Sequence, residues 1–532
     1  MQKKYFSEDQ KHFWLITLLV CIIIGVIVLA PNVLLFIFHP EEKFYSGTWF
    51  DSSDYETYLF KMRYPVEMES WSWENWYSFE GKSHAPIFLI YAVLGKAASA
   101  LGIKYSIMYL INKTVFSMFL VLSLSLFSRE LRLWKWWVPL LACCSGGFEW
   151  YGINQWFSNG ITFNFLGAES YYSYSVFFVP HFVLSQTAMI MYFIFFGRLI
   201  QKRKVIDFTC AVLSLVIIVM VHPYMFVLPV GSTLIYLFLV RKANKKLLSL
   251  TVVIFVLPFM LLLYYVWIFS FDKSLNLWIK TSSIFLSPPG ISKIILVLAI
   301  PLSLAIYGIF KWQKHAAKED KMLILSWITT AFLLPIMLYV IPFNGINQCR
   351  FSEGISIVFF WAACGTMFLP KPSLKALCIF FLLIGPVLCL AIPFQAMNTV
   401  KHNKNPGEIG GIIYISQDNL KTYQWLEQNT KGKLVLADPY IGLRLPSRAF
   451  CKTYIGHWSE TPDFVKKLNE IKYFYNFANK EEKKKFIKNI SPDYIFWRKN
   501  VFPNARLDEI WPVVYANKSN TILKIVNEPK NL

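Results

Sequence analysis

Residues 51–63 read DSSDYETYLFKMR. They follow the first long apolar run, inside a stretch from Pro40 to Tyr105 that holds nine Asp and Glu against six Lys and Arg. The chain as a whole is the reverse, with 532 residues and a formal net charge of +21. An acidic loop directly after a membrane span places carboxylates, Asp51 and Asp54 first, beside the apolar phase. Charged groups are costly there and tend to line cavities. A carboxylate so placed suits a general base waiting for a lipid-borne substrate.

The rest of the chain supplies the membrane. It is 55% hydrophobic and 18% aromatic, more apolar than a soluble chain of this size needs. Runs of about 20 apolar residues ending in charge predict a polytopic helical membrane protein, because a bilayer core of about 30 Å sets that length. Eleven spans are expected, near 13–38, 106–127, 136–148, 178–197, 207–221, 225–240, 248–270, 294–310, 322–343, 355–369 and 374–393. A turn at His222-Pro223-Tyr224 separates two of them, since proline disfavours helix in the residue before it.

Lys and Arg set the expected orientation. The N-terminal tail and alternate loops (SRELRLWK, RLIQKRK, RKANKK, KWQKHAAKEDK, KPSLK) carry twenty basic residues; the short opposite loops carry Lys273, Lys280, Lys293 and Arg350. The N-terminus is therefore expected inside and the C-terminus outside. The first span is too long for a signal-peptide core and no small-residue cleavage site follows it, so it reads as an anchor. The positive charge is a topology signal and does not call for nucleic acid. Of nine cysteines, most fall in spans as small hydrophobes. Cys349 and Cys451 read as outward and aqueous, with no metal-site spacing and nothing that commits them to a disulfide.

Two domains are expected: a membrane domain 1–393, including the outer loop 39–104, and a small extracytoplasmic α/β domain 394–532. Within the loop, APIFLIYAVLGKAASALG (85–102) reads as a helix lying in the outer interface. Trp71, Trp73, Trp76 and Tyr77 read as headgroup-level rings. In the tail, SQDNLKTYQWLEQNT (416–430) is a helix capped by Ser416, and KLVLAD (433–438) is a strand. TPDFVKKLNEIKYFYNFA (461–478) is a helix capped by Thr461, and GHWSET (456–461), with His457 and Glu460, either touches substrate or, the preferred reading, belongs to that cap. NKEEKKKFIKNI (479–490) is a charged helix with a solvated lysine face. DYIFW, VVYAN and TILKIV are strands.

Candidate chemistry clusters on one expected side. Asp54 is the preferred base; Asp51, three residues earlier, shares its face if the stretch is helical. Arg350 suits a phosphate leaving group through its planar fork, with a salt bridge to Glu353 as the structural alternative. Lys113 is a second phosphate candidate, with snorkelling as its alternative. His181 follows Pro180 and His222 precedes Pro223; each is a phosphate or sugar hydrogen-bonding candidate or a plain helix end. Glu169, in FLGAESYYSY (165–174), sits among rings that can stack on sugar, or that form an aromatic belt. Glu149 lies in the same outer segment.

DSSDYETYLFKMR, followed by WSWENWYSFEGKSHAPIFLIYAVLGKAASALGI (71–103), resembles the first outer loop of bacterial multi-spanning proteins related to the C-type (GT-C) glycosyltransferases. GAESYYSYSVFFVPHF (167–182), MVHPY (220–224), QCRFSEGI (348–355) and LADPYIGLRLPSRAFCKTYIGHWSETPDFVKK (436–467) extend the resemblance over nearly the whole chain. It implies a GT-C-like helical membrane protein of the bacterial cytoplasmic membrane and an inverting transferase with an outer active site. The donor would be a polyprenyl-phosphate sugar and the acceptor a glycan, lipid or protein. Asp54 and Tyr58 match the Asp and Tyr that open the group's catalytic loop, and Glu80 falls near its acidic position. Trp73 and Trp76 would hold sugar or prenyl chain. Two departures stand out: Cys349-Arg350 replaces a frequent Arg pair, and Lys113 replaces an Arg. Relatives of the fold differ in using a divalent cation; DSSDYE offers one or two oxygen ligands, and no metal site is assigned. Two other readings remain: a transporter of lipid-linked sugars, which would spread polar groups through the midplane, and a non-catalytic scaffold.

Overall fold

The structure is a computed structural model that describes residues 2–49, 52–78, 85–147, 170–202, 204–240, 245–284, 291–340, 348–402 and 413–526. It divides into two compact units. One comprises Met1–Ile37, Tyr109–Val266 and Leu286–Asn398; the other comprises Phe38–Met108, Trp267–Phe285 and Thr399–Leu532.

Among the described residues, seven helices are long and apolar enough to cross a membrane: Gln10–Ile37, Tyr105–Glu130, Pro180–Lys202, Pro223–Val240, Leu247–Phe271, Ile295–Trp312 and Lys318–Met337. Each coincides with an expected span. Val205–Val221, Phe351–Met367 and Pro372–Val387 are shorter apolar helices at three further expected positions. The span expected at 136–148 is instead a helix of seven residues, Trp137–Cys143, about 10 Å long at 1.5 Å per residue and too short for the bilayer core. The break at 222 falls as expected. Val205–Val221 ends, Pro223–Phe226 forms one 3-10 turn, and Val227–Val240 begins, because Pro223 has no N–H to continue the ladder.

The second unit is built on a mixed sheet. Strands β1 (Lys43–Tyr45) and β2 (Tyr414–Ser416) form an antiparallel pair between the acidic loop and the tail. Strands β3 (Leu434–Leu436), β4 (Lys452–Thr453), β5 (Tyr494–Arg498), β6 (Val513–Ala516) and β7 (Asn520–Lys524) form a five-stranded sheet in the order β4-β3-β5-β7-β6. β3 is parallel to β4 and β5, and β7 is antiparallel to β5 and β6. Side chains alternate between two buried faces. Leu436, Ile495, Trp497 and Leu523 pack with Ile471, Phe474 and Ile487, while Val435, Phe496 and Ile522 pack with Tyr423 and Leu426. Covering both faces explains strands that read as continuous apolar runs.

Local signals in the tail are mostly accurate. Ser416 caps Gln417–Asn429, its side chain accepting from the Asn419 N–H at 3.2 Å. Helix Lys480–Ile490 starts in a reciprocal Asn479/Glu482 capping box. Its lysines are mainly solvated, but Lys483 is buried and donates to the Ala505 carbonyl.

Three expectations are corrected. Helix Phe464–Asn476 has Asp463 at its N-cap position rather than Thr461; Thr461 is held in a tight turn, donating to the His457 carbonyl and accepting from the Gly456 N–H. Cys451 does not face water: it is a free, fully buried thiol contacting Thr430, and burial pushes it up to about 12. Trp71 is exposed, but Trp73, Trp76 and Tyr77 are buried among Phe60, Tyr64, Phe88 and Phe450, so these three rings meet protein and not headgroups.

Candidate functional site

DSSDYETYLFKMR folds as part of one helix, Ser52–Glu67, called the loop helix below. Tyr55, Tyr58, Leu59 and Met62 recur at helical spacing and are buried, and so are Phe60 and Tyr64 on other faces. Two neighbours account for this. Helix Leu89–Ala100 lies close enough that a Cβ on Gly95 would sit 1.9 Å from the Met62 carbonyl oxygen. Tyr58 stacks on Tyr91 at 4.3 Å. The tail segment 444–460 covers the opposite side.

A helix buried on all sides cannot leave its charges in water, so each finds a partner in the tail. Glu56 is buried and takes a fork from Arg448, Nε at 3.0 Å and Nη2 at 2.8 Å, with Ser447 Oγ also donating. Burial opposes the Arg448 charge, but Glu56 outweighs it and holds the guanidinium charged. Lys61 donates to Glu460 at 2.6 Å, and its ammonium lies 4.0 Å from the Phe88 ring centre and 5.2 Å from that of Trp73. Arg63 joins Glu67 at 3.1 Å, Glu427, and the Ser447 carbonyl. Burial alone would raise the Glu67 carboxyl, yet the hydrogen bond from Lys431 and the charges of Arg63 and Lys431 hold it below its usual range.

Asp54 differs from these. It lies in the first helical turn, where the helix dipole favours negative charge. Its Oδ1 is 3.0 Å from His457 Nε2. The imidazole is 2% exposed, whereas the Asp54 side chain keeps 22% exposure. On the other side of the ring, Nδ1 is 3.3 Å from the Ser459 backbone N–H and 3.0 Å from Ser459 Oγ. A carboxylate with a buried partner behind it and solvent before it can accept a proton from an arriving hydroxyl.

The other unit gathers a second set. Lys113, in helix Tyr105–Glu130, does not snorkel: it is buried and donates to the Phe177 carbonyl at 3.3 Å. His181 follows four residues later, in the first turn of Pro180–Lys202. Its ring centre is 6.2 Å from that of His222, and His222 pairs through Nδ1 with the fully buried Glu353. Arg350 lies on the same 3-10 segment, Gln348–Ser356; its side chain, like all of Asp51, Glu80, Glu149 and Glu169, lies outside the described residues.

Tyr58, Trp73 and Trp76 are buried around the loop helix. The sequence reading missed Glu56, Lys61, Arg63 and Arg448, and assigned His457 and Glu460 to a helix cap. One signal was available: three charges inside the aromatic run YETYLFKMRY (55–64) cannot all face water on an amphipathic helix.

Among the described residues, no group of three His, Cys, Asp or Glu side chains is arranged to hold a metal ion.

No protein-family model and no curated protein matches the chain. Solved structures do. An oligosaccharyltransferase of Archaeoglobus fulgidus, tethered with an acceptor peptide, aligns with TM-score 0.53 at 10% identity, over 97% of this chain and 74% of its own. The same organism's oligosaccharyltransferase AglB, in complex with an inhibitory peptide and a dolichol-phosphate, aligns with TM-score 0.50 at 10% identity over 98% and 75%. ArnT from Cupriavidus metallidurans aligns with TM-score 0.50 at 10% identity, over 94% of this chain and 97% of its own. The chain therefore has the fold of the GT-C glycosyltransferases.

Proposed function

We propose that this protein is a membrane glycosyltransferase that moves a sugar from a polyprenyl-phosphate donor to an acceptor hydroxyl, with Asp54 as general base. One observation supports the choice of base: the Asp54 carboxylate lies 3.0 Å from the buried His457 imidazole and its side chain keeps 22% solvent exposure, which gives an arriving hydroxyl access to it.

In this reading Asp54 takes the acceptor hydroxyl proton as the oxygen attacks the anomeric carbon. The bond from that carbon to the phosphate oxygen breaks, and the electron pair leaves with the lipid phosphate. Attack opposite the leaving group inverts the sugar. The phosphate gains charge, and positive or hydrogen-bonding groups stabilise it; Arg350, Lys113, His181 and His222 are assigned that work, with Glu353 orienting His222. Asp51 is the alternative base, and Tyr58, Glu80, Glu169, Trp73 and Trp76 are assigned to substrate binding. The AglB complex with a dolichol-phosphate supports a lipid-phosphate donor. The charge bias of the loops supports a cytoplasmic N-terminus and an extracytoplasmic tail from residue 394, in a bacterial cytoplasmic membrane.

The test compares the parent with Asp54→Asn in liposomes carrying a panel of polyprenyl-phosphate sugars and a pool of glycan, lipid and peptide acceptors. Loss of donor and gain of glycosylated acceptor are read by mass spectrometry. The expected result is transfer by the parent and a fall of about 10²-fold or more in the variant. Equal transfer by both moves the base to Asp51 or Glu169. No turnover by folded parent protein rejects the enzyme in favour of a transporter or scaffold.

A further inference from the structure

We infer that His457 is the positioning residue of Asp54, locked in its Nε2–H tautomer by the backbone of Ser459. The inference rests on Asp54 being the base. A neutral imidazole carries one proton, and the nitrogen without it must accept. Ser459 N–H points at Nδ1 from 3.3 Å, and a backbone N–H can only donate. Nδ1 therefore holds the lone pair, and the Ser459 hydroxyl, 3.0 Å away, donates to it as well. The ring proton is then on Nε2, which faces Asp54 Oδ1 at 3.0 Å.

The arrangement holds the carboxylate by a directed N–H while it keeps solvent contact. A buried ring is stiff enough for this: His457 is 2% exposed, with Tyr77 and Trp458 rings against it. His457 touches no reacting atom in this account; it acts through Asp54.

The experiment uses full-length protein in the liposome assay above and separates kcat from donor KM. His457→Phe keeps a ring but no donor, and is expected to lower kcat about 10²-fold with donor KM unchanged. His457→Gln places an amide N–H near the lost Nε2 and is expected to recover about tenfold or more of that loss. Equal activities of the Phe and Gln variants, or parent-like activity of the Phe variant, overturn the inference.

A second measurement does not need turnover. In ¹⁵N-histidine-labelled protein, with His457→Gln assigning the resonance, His457 is expected to show a protonated Nε2 and an unprotonated Nδ1 at neutral pH. A proton on Nδ1 overturns the inference even if His457→Phe fails to fold. If Asp54→Asn transfers as well as the parent, the base assignment fails and this inference with it. If Asp54→Asn is inactive while His457→Phe is parent-like, only the role of His457 fails.

Discussion

Lys61 Nζ and Glu460 Oε1 lie 2.6 Å apart although 399 residues separate them in the chain, and their side chains are 2% and 3% exposed. Glu460 is three residues beyond His457, and Lys61 is two helical turns beyond Asp54. The buried pair thus pins the same two segments that carry the Asp54–His457 contact. Asn75 strengthens the clamp by donating to the Glu460 carbonyl at 2.9 Å.

Removing one ion of this pair leaves the other buried without its counter-charge. Lys61→Met or Glu460→Gln is expected to destabilise the protein by about 3–5 kcal/mol, and the Lys61→Met/Glu460→Met double variant to recover most of that loss. Equilibrium unfolding of detergent-solubilised protein measures it. Single losses that simply add in the double variant would show that the pair contributes nothing as a pair.

Gly442 controls how closely the His457 segment approaches. A Cβ there would lie 1.8 Å from the Ile455 carbonyl oxygen, a backbone atom that cannot swing aside. Gly442→Ala is expected to destabilise by about 3 kcal/mol or more, and to lower transfer by displacing His457. A variant with parent-like unfolding and transfer would refute the close approach.

Glu67 makes stability depend on pH. Its folded carboxyl lies below the ordinary carboxyl value of 4.5, because Lys431 and Arg63 outweigh burial. Its contribution is therefore present in full above pH 4.5, and is lost as pH falls through the lower folded value. Partial exposure keeps the effect small. Glu67→Gln is expected to flatten this acid limb of the stability profile while leaving stability at higher pH modestly reduced. An unchanged acid limb in the variant would contradict the network.

Much of this fold was legible locally. The long helices are periodic or continuous apolar runs. The break at His222-Pro223 follows from proline, and the Ser416 cap from a side chain three residues from its donor. Thr461 looked like an equally good cap, but a tertiary turn with His457 and Gly456 claims both its backbone and its hydroxyl. Cys451 lies in a polar stretch and still ends in the core. Trp73 and Trp76 carry the composition of an interfacial belt, yet the tail segment and helix Leu89–Ala100 bury them.

From the sequence by itself come the membrane class, the positions of most of the helices and strands, the acidic loop and Asp54 as the candidate base. All of these depend on near neighbours in the chain: spacing, span length and proline geometry. Only the tertiary structure decides that Glu56, Lys61 and Arg63 are neutralised and that Asp54 meets His457. Those partners lie hundreds of residues away, and nothing local to either residue specifies the other. Burying the loop helix on every side forces its charges to find partners, and the folded tail determines which ones they meet.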